Sequence, residues 1–183
     1  NDQEMKLQRT SKLRKTTFEM IKHKIKEVYA EQSAALAQQV KVEMYGSMAT
    51  GLAIDCSDLD LLVHNFVPKD SPLYGSMTRL DTVNELQKLH AALGDVFGVV
   101  SNTLIDTASV PVIKIRIDLV ELCKREKEKN GRFPVDPAIL QQDEETQELN
   151  VDITLDEPRA HPSQEHLGLQ CCKYVKRSVA EYP

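Results

Sequence analysis

The stretch Tyr45-Gly46-Ser47-Met48-Ala49-Thr50-Gly51-Leu52-Ala53-Ile54-Asp55-Cys56-Ser57-Asp58-Leu59-Asp60 joins a Gly-Ser turn to a pair of carboxylates at alternate positions. With Leu61, Leu62 and Val63 following, the segment reads as a strand. Alternate residues of a strand lie on one face about 6.5–7 Å apart. Asp58 and Asp60 therefore share a side, while Leu59, Leu61 and Val63 fill the opposite, buried one. Two carboxylates held that close repel each other unless a proton or a cation sits between them. Hard oxygen donors with open positions suit Mg²⁺ or Mn²⁺. Upstream, Val40, Val42 and Met44 alternate with Lys41, Glu43 and Tyr45, a half-buried strand that ends at Gly46. Gly46 lets the chain turn sharply and approach a ligand closely. Ser47 offers a hydroxyl and a backbone N–H to a phosphate, with a short helix over Ser47 to Gly51 facing the same anion. The plainer reading makes Asp58 a turn residue after Ser57 and Asp60 a solvent-facing strand residue.

A site holding two ions in line for phosphoryl transfer needs a third carboxylate. From Leu149 to Asp156 the apolar Leu149, Val151, Ile153 and Leu155 alternate with Asn150, Asp152, Thr154 and Asp156, a full period-two pattern. Asp152 thus falls in mid-strand on a polar face, where Asp is depleted. A partly buried charge there is paired or bound to metal; an ordinary wet edge strand is the alternative.

Four segments in order, Tyr45–Leu52, Ser57–Val63, Val-Pro-Val-Ile-Lys at Val110–Lys114 and Val-Asp-Ile-Thr at Val151–Thr154, resemble the DNA polymerase β-like nucleotidyltransferases. Within that superfamily the chain is most similar to the noncanonical poly(A) polymerases and terminal uridylyltransferases, which tail RNA without a template. The run from Ala108 to Lys114 and the segment from His166 to Pro183 carry the closer likeness. The resemblance implies an α/β (α+β) nucleotidyltransferase fold: a mixed, twisted sheet of about five strands, helices on one face and the aspartates on the other. It implies that Asp58, Asp60 and Asp152 ligate Mg²⁺ or Mn²⁺, that Gly46 and Ser47 hold a triphosphate, and that Gly168 and Lys173 also belong to the nucleotide site. The implied substrates are a nucleoside triphosphate, ATP favoured and UTP the alternative, and an RNA 3′ end. Protein partners of an RNA-processing complex follow from the same likeness.

By the same token residues 1–38 are expected as an N-terminal helix packing on a second domain. Residues 39–160 form the catalytic domain, and 161–183 the first helix leading into a truncated central domain. Two departures stand out. Many members have Asn where this chain has Leu167, a residue that helps hold the ribose or base, and the link over 121–148 is longer than usual. The resemblance implies that the central-domain residues that read the base edge lie beyond Pro183, which leaves uridylate addition open beside adenylate addition.

The 183 residues, 41% hydrophobic and 28% charged, suit a soluble globular protein. No apolar run approaches the roughly 20 residues that span a bilayer. Cys56, Cys123, Cys171 and Cys172 form no Cys-x-x-Cys pair, which points to reduced thiols and a nuclear or cytoplasmic setting. A net charge of −5 argues against a generally sticky nucleic-acid binder, so any RNA contact must be local.

Lys6 to Lys26 holds eight Lys or Arg against one Glu, and Phe18, Ile21, Ile25, Val28 and Ala35 recur at helical spacing. One long amphipathic helix is expected, its basic face solvated or on RNA, its apolar stripe an interdomain seam. Met77 to Leu93, with Leu80, Val83, Leu86, Leu89, His90 and Leu93, reads as a second helix ended by Gly94. Val96–Val100 and Val110–Leu119 read as strands. In the latter, Lys114 and Arg116 oppose the apolar face; beside the Asp152 strand they are candidate RNA contacts, or else two solvated residues. Glu121 to Glu148 reads as an inserted loop, and a last helix is expected from Ser163, its cap, to Glu181, with His166 a surface or core histidine rather than a base.

Template-independent adenylate addition is the preferred function. Alternatives are uridylate addition, a nucleotidyltransferase acting on a small molecule or a protein hydroxyl, and a non-catalytic scaffold of the same fold.

Overall fold

A computed structural model describes residues 2–53, 57–131, 140, 147–157 and 167–181. Helix α1 (Asp2–Gln32) leads, through an extended Ser33, into the short α2 (Ala34–Gln39). The buried stripe of α1 is Leu13, Arg14, Thr17, Phe18, Ile21, Ile25 and Tyr29. Val28 is only partly buried and Ala35 is exposed; the break at Ser33 turns Leu36 inward instead.

Strand β1 (Lys41–Tyr45) runs into α3 (Gly46–Thr50), and β2 (Leu59–His64) follows. Next come α4 (Arg79–Leu93), β3 (Val99–Ile105), β4 (Val112–Asp118), α5 (Leu119–Asn130), β5 (Glu148–Leu155) and α6 (Leu167–Glu181). The five strands form one mixed sheet in the order β1-β2-β5-β4-β3. Among the described residues only the β2–β5 pair is parallel.

One face of the sheet is closed by helices because its residues alternate. Leu59, Leu61 and Val63 of β2, Ile113, Ile115 and Ile117 of β4 and Val151, Ile153 and Leu155 of β5 join Leu86, Leu89 and Leu93 of α4 in one core. Each such side chain contributes about 1.5–3 kcal/mol when fully buried. Ile21, Ile25 and Tyr29 of α1 enter the same core. Residues 13–29 of the stripe thus belong to the same core as the sheet and α4.

Several boundaries differ from the sequence reading. Helix α4 starts at Arg79, where Thr78 and Asp81 form a reciprocal capping box: the Asp81 carboxylate accepts from the Thr78 N–H at 2.9 Å and the Thr78 hydroxyl accepts from the Asp81 N–H at 3.3 Å. The helix then buries Thr82 and leaves Leu80 exposed. Met44, expected inward, is exposed on β1. The strand expected over Val96–Val100 lies at Val99–Ile105; Val96 packs into the core from the turn before it, and the polar Ser101, Asn102 and Thr103 concealed the edge strand.

The expected loop over 121–148 opens instead as helix α5. Asp118 caps it, its carboxylate accepting from the Val120 and Glu121 N–H groups at 2.8 and 3.0 Å, and Leu119, Leu122 and Cys123 bury its first turn. Beyond Cys123 the helix is solvated, which removes the apolar period, and it ends at Gly131 in the left-handed region at φ 71°. The rest of that segment, 132–139 and 141–146, lies outside the described residues. So do Ser163 and His166; the last helix is described from Leu167. Among the described residues no helix is long and apolar enough to cross a membrane.

Candidate active site

The open face of the sheet is organised by register. Tyr45 pairs with Asp60, Asp60 with Asp152, Asp152 with Lys114, and Lys114 with Thr103. Directly paired residues project to the same side. Five chemically active side chains therefore form one row across all five strands. The neighbouring row holds Asn150, Arg116 and Ser101. Asp58, just before β2, joins it: the Asn150 amide donates to Asp58 Oδ1 at 3.2 Å.

The Gly-Ser turn meets this row at Asp60. Gly46 sits at φ 69°, and a Cβ built there would lie 2.1 Å from Asp60 Oδ2. The left-handed backbone and the carboxylate against it both require glycine. Ser47 lies partly buried in α3, where its carbonyl accepts from the Thr50 hydroxyl at 3.0 Å and the Leu52 N–H at 3.1 Å.

Electrostatics mark the row as a place of crowded negative charge. The Asp60 carboxyl is pushed above the usual Asp range by burial first, then by Asp152 and Asp58, with Lys114 acting in the opposite sense. Lys114 Nζ donates to Asp152 Oδ2 at 2.5 Å, and this bond raises the Lys114 pKa. Burial raises that of Tyr45, the hydrogen bond between its hydroxyl and Thr154 Oγ1 at 3.3 Å works against the rise, and Asp60 and Asp152 add to it.

The carboxylate donor set fits a hard divalent cation, and a cation there would relieve the repulsion that raises Asp60. As placed, the outer carboxylates are engaged elsewhere, Asp152 by Lys114 and Asp58 by Asn150. Accordingly, among the described residues no three His, Cys, Asp or Glu side chains converge as the ligands of one ion.

A hollow of about 350 Å³ lies beside the row, lined by Asp58, Asp152, Asn150, Lys114, Arg116, Ser101 and Thr103 among others. Both candidate RNA contacts thus stand next to Asp152 and Asn150; Arg116 also pairs with Glu148 at 3.0 Å. Gly168 falls in the first turn of α6, and Lys173 is exposed farther along it and is not among the residues lining the hollow. Helix α6 instead reaches the turn through buried Cys172, whose Sγ accepts from the Gly46 N–H at 3.1 Å. A larger hollow, about 710 Å³, lies between α1 and α5 on the helical side, with Lys12, Lys15, Met20, Phe97 and Arg125 among its lining residues. It holds none of the three aspartates.

Tyr45, Asn150, Ser101 and Thr103 were missed as site residues. Asn150 and Thr154 share the polar period of Asp152, which signals their face but not their neighbours. Nothing local marks Ser101 or Thr103.

The family profile described as "Poly(A) RNA polymerase, mitochondrial-like, central palm domain" matches residues 1–163. Three solved structures share the fold. The GLD-2/RNP-8 complex aligns over 96% of this chain and 38% of its own, with 18% identity and a TM-score of 0.55. The polymerase core of TRAMP, an RNA surveillance complex, aligns over 94% and 37%, with 16% identity and a TM-score of 0.53. Terminal uridylyl transferase 4 from Trypanosoma brucei with bound GTP aligns over 92% and 39%, with 14% identity and a TM-score of 0.51. The chain thus spans under two fifths of the length of each. No curated protein matches the sequence significantly.

Proposed function

Since the chain belongs to the mitochondrial-like poly(A) RNA polymerase central palm family, we propose that it is the catalytic palm of an enzyme transferring nucleoside monophosphates to RNA 3′ ends. AMP is the favoured unit and UMP the alternative. The observation that carries this reading is the cross-sheet row: Asp60 and Asp152 paired on adjacent strands, Asp58 beside them and the Gly46 backbone pressed against Asp60.

Asp58, Asp60 and Asp152 are the groups that would hold Mg²⁺ or Mn²⁺. Such an ion, when bound, supplies Lewis-acid stabilisation for hydroxyl attack and pyrophosphate departure. The chain's own contribution is placement. Gly46, without a side chain, lets a triphosphate approach the main chain, and Ser47 offers N–H and hydroxyl donors to it. Lys114 neutralises Asp152 until substrate arrives and then offers its ammonium group to the RNA backbone, with Arg116 one pair farther along β4. Tyr45 keeps its phenolic proton beside Asp60 and braces it by packing across the row. Lys173 on α6 lies on the helix that Cys172 ties to the Gly-Ser turn, which supports a contact with the nucleotide.

The test is extension of 5′-labelled oligo(A) and oligo(U) by the full-length protein with Mg²⁺ or Mn²⁺ and each nucleoside triphosphate in turn. The expected result is a ladder with one nucleotide, ATP first, that vanishes in Asp58→Ala/Asp60→Ala. A primer-independent product would move the assignment to small-molecule or protein substrates, and absence of any transfer would leave a scaffold.

A further inference from the structure

Among the described residues, the buried stripe of α1 contains one charged member. Arg14 is 3% exposed, next to Leu13 at 0% and one turn before Phe18 at 9%. A leucine or methionine would fill the same volume without removing a guanidinium from water, which is costly unless the charge is paired and hydrogen-bonded. Its contacts cross the chain. Arg14 Nη1 donates to the Ser57 carbonyl at 2.6 Å and lies 3.9 Å from Met48 Sδ. Ser57 immediately precedes Asp58, and Met48 belongs to α3, the helix that opens at Gly46. One head group therefore touches both halves of the site from the helical side of the sheet.

Asp58 needs such an anchor. It stands just outside β2, which begins at Leu59. Its carboxylate nonetheless meets Asn150 on β5. The neighbouring carbonyl, pinned by a planar donor fixed in the core, restricts the backbone from which the side chain springs. Guanidinium suits this task better than ammonium, because its donors are planar and preorganised.

We propose that Arg14 is a positioning residue: by holding the Ser57 carbonyl and bordering Met48 it sets the direction of Asp58 and its distance from the Gly-Ser turn. The proposal deepens the reading of the site given above, and rests on it for the cation readout alone.

Amide hydrogen exchange and Mn²⁺ binding, measured on the full-length protein, test it with Arg14→Met and Arg14→Lys beside Ile21→Val, a core change two turns farther along α1. Expected are faster exchange across Ser57–Leu62 in both Arg14 variants with β4 unchanged, and Mn²⁺ affinity lower by about tenfold in Arg14→Met, the scale of losing an outer partner of a metal ligand. Arg14→Lys should recover part of that affinity. Ile21→Val should leave both readouts at the wild-type value. If Arg14→Met fails to fold, Arg14→Lys decides: wild-type exchange over Ser57–Leu62 overturns the proposal. Wild-type exchange and Mn²⁺ affinity in both Arg14 variants overturn it too. A wild type that binds no Mn²⁺ while the Arg14 variants still loosen Ser57–Leu62 overturns the cation reading and leaves the positioning role supported.

Discussion

Replacing Gly46 by alanine should separate the two constraints that meet at that residue. The new Cβ would stand 2.1 Å from Asp60 Oδ2 and 3.0 Å from its Cγ, on a backbone at φ 69°. Left-handed backbone costs an L-residue about 1–2 kcal/mol. Turning the carboxylate away from its rotamer adds about 1 kcal/mol. The sum, about 2–3 kcal/mol, corresponds to a melting temperature lower by roughly 5–10 °C for a chain of this size. The informative comparison is the same substitution in an Asp60→Ala background. There the remaining Asp60 Cβ lies 3.4 Å away, an ordinary contact, so only the backbone cost should survive. Urea unfolding of the four proteins measures the coupling, expected at about 1 kcal/mol. Equal costs of Gly46→Ala in both backgrounds would refute the claim that Gly46 is required by the carboxylate as well as by its φ. Nucleotide transfer should be lost in Gly46→Ala even below its melting temperature, because Asp60 is displaced.

Other consequences follow from the same geometry. Asp60→Asn should abolish transfer yet raise the melting temperature in the absence of divalent ions by a few degrees, since removing one of three crowded charges is worth about 1 kcal/mol at a partly exposed site; a fall in melting temperature would count against crowding. The pH dependence has a definite sign: the folded-state pKa of Asp60 is raised above 3.8, so the folded state holds its proton more tightly. Its contribution to stability is present below that value and lost as pH rises through the folded pKa, and Asp60→Asn should remove this slope in acid-side unfolding curves. Lys114→Met should cost less than about 1 kcal/mol of stability, because the pair with Asp152 is partly exposed, while raising the KM for RNA primer; an unchanged KM would place Lys114 off the RNA path. Thr78→Ala should cost about 1 kcal/mol through loss of the α4 cap, with transfer kinetics unaltered at a temperature where the variant is folded.

Period-two segments were legible because the signal is local. The alternation through Leu59–Val63 and Leu149–Leu155 sorts each strand's residues into a core face and a polar face without reference to anything else. The helix α5 was not legible, although its Asp cap, its basic last turn and Gly131 are all written in the chain. Only its first turn is apolar, so there was no period to detect. The edge strand β3 was displaced in the reading because Val96 looks like a strand residue and Ser101–Thr103 do not. Arg14 was taken as one of eight basic residues on an outer face, since a charge in an amphipathic helix reads as solvated unless its partner is known.

Sequence alone determined which residues share a face: Asp60 opposite Leu59 and Leu61, Asp152 opposite Val151 and Ile153, Lys114 opposite Ile113 and Ile115. Those assignments follow from the pleat, which repeats every two residues whatever the neighbours. Tertiary structure alone decided that Asp60 lies beside Asp152, that Asn150 reaches Asp58 across 92 residues, that Gly46 leans on a carboxylate and that Arg14 holds Ser57 across 43. Each of these depends on strand order and register, which the whole core sets at once: a slip of one residue would turn Asp60 and Asp152 inward and Leu59, Leu61 and Leu149 out.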